Sequence, residues 1–192
     1  MINFDMTNEQ YHAHANVLSA SGTKTIAFDD LATFKYAERK ESAAFDVGTA
    51  THTLVLQPEL SDTIWMGAAD RRGLAWKKTK LEAEEAGALL LTEGDYLLAH
   101  DMAEAVRANK AAAELLSGDL VCEASVFAKH ERTGIEIRCR PDGWRRDIGA
   151  LIDLKTTITS DPSGFSRQCA QFGYHVQDQH YRMTMEAAGF EI

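Results

Sequence analysis

The chain has 192 residues, of which 45% are apolar and 26% charged, and a formal net charge of -9. A chain of this length buries a core without disulfide or metal staples, and no apolar run approaches the roughly 18 to 20 residues that cross a bilayer. The acidic balance excludes a partner held by overall positive charge, so a polyanion such as nucleic acid needs local basic residues.

The first ten residues carry Asp5 and Glu9 and have neither a basic start nor an apolar stretch. They do not read as a signal peptide, and a cytoplasmic location is expected. Cys122, Cys139 and Cys169 are odd in number and have no C-x-x-C spacing, which argues against a disulfide framework, a zinc site or a four-cysteine cluster. All three are expected as reduced thiols.

In chain order, Ser19 and Ser21 are cap candidates for a helix near residues 22–27. Residues 42–56 place Phe45, Gly48, His52 and Val55 at steps of three or four, which predicts a helix with His52 beside or within its buried stripe. Between residues 58 and 93 the periodicity fails. Arg71, Arg72, Lys77, Lys78 and Lys80 gather around Trp76 there, and an exposed basic arm is expected. Such an arm would hold phosphates on its cations and stack Trp76 on a base, against the blander reading of a solvated loop.

A long amphipathic helix is predicted over residues 92–116, with Thr92 and Asp95 as a capping box, Leu97, Val106, Leu115 and Leu116 among its apolar positions, and an alanine-rich body for packing. Strand-like runs follow at 120–129, 134–141 and 150–157. Turns at Thr133-Gly134 and 147–149 suggest a consecutive antiparallel meander. A last helix is expected over residues 163–188, bent near Gly173. With no repeat or low-complexity linker, one domain spanning 1–192 is the expectation.

The chemistry concentrates in the strands. Alternation along residues 150–157 would put Asp153 and Lys155 on one face. Pro141 would end the preceding strand and present Asp142 at its rim. Pairing through the turn near Asp147 would bring Asp142 and Asp153 close enough to share a hard divalent cation, Mg²⁺ or Mn²⁺. Lys155 would orient or deprotonate the attacking water and steady charge on a phosphate, while Glu123 in the neighbouring strand adds a further carboxylate. A D-x-K triplet alone is commonly a surface pair; four suitable residues in adjacent strands carry more weight.

The series R-P-D-G-W (140–144), D-L-K-T-T (153–157) and a helix bearing Gln177 and Tyr181 resembles the PD-(D/E)XK nuclease superfamily. Within it the chain is most similar to the nuclease domain of RecE-type exonucleases (exonuclease VIII), typically phage or prophage encoded. The likeness runs through Y-H-x-x-x-x-x-L-S-A-S, F-D-V-G-T-A-T-H-T-L-V-L, E-A-S-V-F and Y-H-V-Q-D-Q-H-Y. The resemblance implies an α/β fold: a central mixed sheet on the strands around Glu123, Ile137 and Asp153, flanked by the His52 and Gln177 helices. It implies His52, Asp142, Asp153 and the carbonyl of Leu154 as metal ligands, with Glu123 and Lys155 completing the catalytic set. Gln177 and Tyr181 match the Q-x-x-x-Y motif that faces the active site and the DNA, with Tyr174 alongside. Without the family, His52 reads more readily as a core histidine, and Gln177 and Tyr181 as half-buried packing positions.

The activity implied is 5′ to 3′ hydrolysis of linear double-stranded DNA with Mg²⁺, for which Mn²⁺ would substitute. A ring-shaped homo-oligomer and a single-strand annealing recombinase as partner are implied as well. The family's sheet gains a strand after the Q-x-x-x-Y helix, whereas this sequence stops at Ile192, so either a truncated form or a strand supplied otherwise is expected. Two alternatives accompany this reading: a DNA-binding or assembly protein that keeps the fold without turnover, and an endonuclease with the same metal chemistry.

Overall fold

The computed structural model describes residues 1–37 and 43–192, the side chains of 43–45 excepted. Ser42 and the side chain of Phe45, both assigned above to the His52 helix, lie outside the described residues. In chain order the elements are β1 (Ile2–Asn3), α1 (Asn8–Ala13), β2 (Leu18–Ser19), α2 (Ala20–Phe28), α3 (Leu31–Tyr36) and α4 (Ala43–Leu56). A 3-10 turn (Pro58–Thr63) leads to β3 (Ile64–Met66), α5 (Leu74–Ala86), β4 (Leu89–Leu91), α6 (Glu93–Ala108) and α7 (Lys110–Leu115). Then come β5 (Leu120–Cys122), β6 (Ser125–Lys129), β7 (Glu136–Cys139), β8 (Gly143–Arg145), β9 (Ala150–Ile152), α8 (Pro162–Gln171) and α9 (Tyr174–Ala187). The fold is α/β as expected, and no described helix is long and apolar enough to cross a membrane.

Two compact units emerge. One gathers the N-terminal segment with Asp119–Asp153 and Thr157–Ile192; the other ends at Gly118 and takes in Leu154–Thr156.

The first unit holds two sheets, ordered β1-β6-β7-β2 and β5-β8-β9. Every pairing is antiparallel except the parallel β2–β7, so the larger sheet is mixed. The consecutive three-strand meander is therefore corrected. The first run is broken between Cys122 and Ser125 and serves both sheets. The second, β7, stays in the larger sheet and ends before Pro141, which has no N–H to donate to a ladder, and the partner of β9 is β8, a strand outside the expected runs. At the break in the first run Glu123 adopts φ 54, in the left-handed region that non-glycine residues seldom occupy. The run at 150–157 is also shorter than expected, since β9 ends at Ile152.

Helix α9 lies on β6 and β7, and Val126, Cys139, Trp144 and Met185 form the buried centre. Phe190 meets Trp144 edge-on at 4.9 Å. Ser19, rather than Ser21, caps α2 by accepting from the Gly22 amide at 3.3 Å. The expected bend between the last two helices falls at Gly173, with φ 64, where an added Cβ would come within 2.4 Å of the Phe28 ring. Both the backbone conformation and this close approach call for glycine there.

His180 is buried at 2% exposure. Its Nε2 lies 2.9 Å from the Arg138 carbonyl and its Nδ1 3.0 Å from the Thr23 hydroxyl, so the neutral ring donates to one and accepts from the other. Burial lowers its pKa from 6.5, outweighing the carbonyl contact. The native state thus binds the imidazole proton less readily than the unfolded chain. This contribution to stability is complete above 6.5 and is lost as pH falls below it. The urea midpoint is expected to drop between pH 7.5 and 5.5, with a smaller drop in His180→Gln; equal drops in both proteins would contradict this assignment.

The second unit contains the parallel pair β3–β4, with α5 as the connection between its strands. This replaces the expected irregular arm. Trp76 on α5 is 7% exposed, and an added Cβ on Gly67 would meet its ring at 2.8 Å, so its role is packing and it is not displayed for base stacking. The long helix expected over 92–116 is two helices. Asn109 breaks it with an extended ψ of 118 and caps the second by accepting from the Ala112 amide at 3.1 Å. Thr92 does cap α6, accepting from the Asp95 amide at 3.2 Å. The buried face of α6 carries Ala99 and Ala103, while Leu97 is exposed; small residues let α6 lie close to α4, where Ala50 is also fully buried.

Candidate metal and nuclease site

The smaller sheet of the first unit lines up three acids. Gly143 on β8 pairs with Cys122 on one side and Ile152 on the other. One step beyond those pairs, Asp142, just before β8, falls level with Glu123 just after β5 and Asp153 just after β9. The Glu123 amide still donates to the Asp142 carbonyl at 3.2 Å. Carboxylate oxygens of Glu123 and Asp142 lie within 4.8 Å of each other. The turn through Asp147 does join β8 to β9, with Gly149 at φ 62.

Helix α9 faces this row. The Gln177 amide nitrogen donates to Asp153 Oδ1 at 2.6 Å and to the Tyr181 hydroxyl at 3.1 Å, and Tyr181 donates in turn to the Arg140 carbonyl at 3.1 Å. The other end of the amide accepts from Lys24 Nζ at 3.2 Å. Gln177 is oriented by its partners: its oxygen toward a cation and its nitrogen toward a carboxylate. Burial, then the charges of Asp153 and Asp142, hold the Tyr181 phenol well above its usual pKa, so it remains a donor.

Arg140 organises the other side. Its Nε donates to the Glu123 carbonyl at 3.0 Å and lies 3.5 Å from the Glu123 carboxylate, and its guanidinium sits 5.1 Å from the centre of the Tyr11 ring. These contacts hold Glu123 in its left-handed conformation. Burial and the charge of Asp142 raise the Glu123 pKa to about 7 against the opposing pull of Arg140. In the metal-free protein, NMR titration is expected to find Glu123 ionising near neutrality and, in Asp142→Asn, at lower pH. An unchanged midpoint in that variant would contradict the coupling.

Two acids forced together, one of them reluctant to ionise, suit a hard divalent cation, whose charge favours both carboxylates. The donor set therefore fits a metal of the Mg²⁺ class.

The other expected site residues are placed as follows. Asp153 to Thr157 are not strand, so the alternation expected to put Asp153 and Lys155 on one face does not extend to them. Leu154 and Lys155 belong to the second unit, as does His52, half-buried on α4 beside buried Thr51. Tyr174 begins α9, with Lys24 Nζ 5.9 Å from its ring centre. The basic residues around Trp76 are largely paired with acids: Arg71 with Asp46 at 3.8 Å and Asp95 at 3.2 Å, Arg72 with Asp70 at 3.4 Å, Lys78 with Glu82 at 3.9 Å and Lys80 with Glu84 at 3.5 Å. Their positive field is weaker than their number suggests; Lys77 is exposed on the same helix.

Sequence reasoning gave no role to Tyr11, Lys24 or Arg140. Arg140 and Tyr11 were within reach, since one opens R-P-D and the other begins the Y-H motif. Lys24 lies outside every quoted motif and meets Gln177 only through the packing of α2 on α9.

These features are those of a PD-(D/E)XK-like core: acids level across a small sheet, with a glutamine and tyrosine on the helix above. The chain belongs to the family described as PDDEXK-like domain of unknown function (DUF3799), whose profile matches residues 25–189. Membership suggests a nuclease of that superfamily, in which divalent metals are typical. A search of curated proteins finds no match.

Proposed function

We propose that the protein is a metal-dependent deoxyribonuclease that degrades linear double-stranded DNA from its ends, 5′ to 3′, releasing 5′-mononucleotides. The reading is that of a RecE-type exonuclease in phage-type recombination, handing the remaining strand to an annealing recombinase and working as a ring-shaped homo-oligomer. The observation that supports it most directly is the level row Glu123, Asp142 and Asp153 beneath Gln177 and Tyr181.

In this reading Asp142 and Asp153 hold Mg²⁺, or Mn²⁺ in its place, together with His52 and the Leu154 carbonyl, and Glu123 completes the acidic set. The bound cation supplies Lewis acidity and neutralises charge on the phosphate. Lys155 orients the attacking water through its ammonium group or, once deprotonated, takes the water's proton at Nζ. Gln177 fixes the Asp153 carboxylate, and the protonated Tyr181 holds Gln177 in place. Tyr174 and the basic residues Arg71, Arg72, Lys77, Lys78 and Lys80 contribute contacts to DNA, the arginines and paired lysines by exchanging acid partners for phosphate; Trp76 supports them as packing.

The test is hydrolysis of end-labelled linear duplex DNA with Mg²⁺, beside covalently closed circular DNA of the same sequence. Loss of the linear form alone is expected, with no loss in Lys155→Ala. Cutting of the circle would instead indicate an endonuclease. Binding without cleavage by the unaltered protein would indicate a DNA-binding protein that keeps the fold without turnover.

A further inference from the structure

Beyond the acids, the first unit carries a second surface suited to nucleic acid. Around Gly173, Phe165 lies 6.2 Å from Tyr174, and Phe172 stacks on Tyr174 at 6.0 Å with 30° between the planes. Phe28 meets His175 edge-on at 6.1 Å. Phe28 and Phe172 remain 53% and 51% exposed, a costly arrangement for two large apolar rings on neighbouring elements. The close fit of Gly173 against the Phe28 ring holds the helix junction and α2 together, so the rings project from a fixed base.

A cation adjoins the rings and leads to the acids. Lys24 lies one helical turn before Phe28; its Nζ is 5.9 Å from the Tyr174 ring centre and donates to Gln177, which donates to Asp153. Exposed aromatic faces, an ammonium group and a short polar path to phosphodiester chemistry match a strand whose bases are unstacked from a partner. Bases would lie on the rings, and a backbone phosphate would lie near the ammonium. A protein partner would use the apolar rings but would leave the cation and the polar path unexplained. A base inside an intact duplex presents no free face to stack.

We propose that the surface formed by Phe28, Phe172, Tyr174 and Lys24 is a platform for unpaired nucleotides, so that the strand to be cut reaches the carboxylates single-stranded. This rests on the nuclease reading and narrows its substrate to DNA ends that are frayed or carry a short unpaired tail.

The experiment uses the full chain and a fluorescent oligothymidylate, with Ca²⁺ replacing Mg²⁺ to prevent hydrolysis, read by anisotropy. Replacing both Phe28 and Phe172 by alanine is expected to weaken binding about tenfold or more. Phe172→Trp should restore binding, and its indole emission should be quenched by the oligonucleotide. Thermal melting of each variant checks the fold. With Mg²⁺, the unaltered protein should degrade a duplex with a short unpaired tail faster than a blunt one, and the double variant should lose that preference. Unchanged oligonucleotide affinity in a folded double variant overturns the platform even when linear DNA is hydrolysed, leaving the nuclease reading intact. Lost self-association with unchanged oligonucleotide binding assigns the rings to a second copy and likewise overturns it. No binding of any DNA by the unaltered protein overturns both readings.

Discussion

Alanine in place of Asp153 is expected to slow hydrolysis of linear duplex DNA about a thousandfold, a barrier increase of about 4 kcal/mol. Asp142→Ala should match it. Both acids stand in the row opposite Gln177 and Tyr181, and the Asp153 carboxylate is the end point of the hydrogen bonds from Lys24 through Gln177. Folding should not suffer in parallel. Asp142 raises the Glu123 pKa by like-charge repulsion, so removing it relieves the metal-free protein. Initial rates on end-labelled DNA, with thermal melting of the same samples without metal, separate the two effects. A rate within tenfold of the unaltered protein, in either variant, would exclude that acid from the reaction centre.

The second large effect concerns the core. Met185 on α9 is fully buried in a cluster with Val126 and Cys139 of the larger sheet and Trp144 of β8, the strand that follows Asp142. Met185→Ala removes packed side-chain volume that its neighbours refill only in part, at a cost of about 2 to 5 kcal/mol. Against a typical total of about 5 to 15 kcal/mol, that is a sizeable share. The urea midpoint should fall accordingly with little change in slope. A loss below about 1 kcal/mol would mean that the cluster relaxes around the gap. Because α9 also carries Gln177 and Tyr181, the variant should lose activity at temperatures where the unaltered protein keeps it.

Much of the site was legible in the sequence because it depends on local order. The turn around Asp147 does precede β9, and the spacing of Gln177 and Tyr181 put both on one helical face. The strand that β9 pairs with, however, is β8, directly after Asp142, and not the expected run at 134–141. The strand boundaries were less legible. Residues 120–129 read as one apolar run, but their interruption depends on Glu123 accepting a left-handed backbone that Arg140 holds from a distant part of the chain. The segment around Trp76 was misread for a related reason: its lysines dominate the pattern, yet Lys78 and Lys80 pair with glutamates one turn on and the indole is buried. The alanine-rich body of the 92–116 segment was read as packing, but its division at Asn109 was not foreseen, because a single capping residue leaves the helical periodicity on both sides intact.

The row of acids also fixes a length. Glu123, Asp142 and Asp153 are level only because the spacing from Gly143 to its two partners is kept on both sides. Adding or removing a single residue in the short connection from Arg145 to Ala150 would slide one carboxyl along the ladder and turn it to the opposite side of the sheet. Relatives that cut DNA should therefore tolerate changed residues in that connection far better than changed length, whereas insertions between Lys129 and Glu136, which join strands of the other sheet, should leave the alignment untouched.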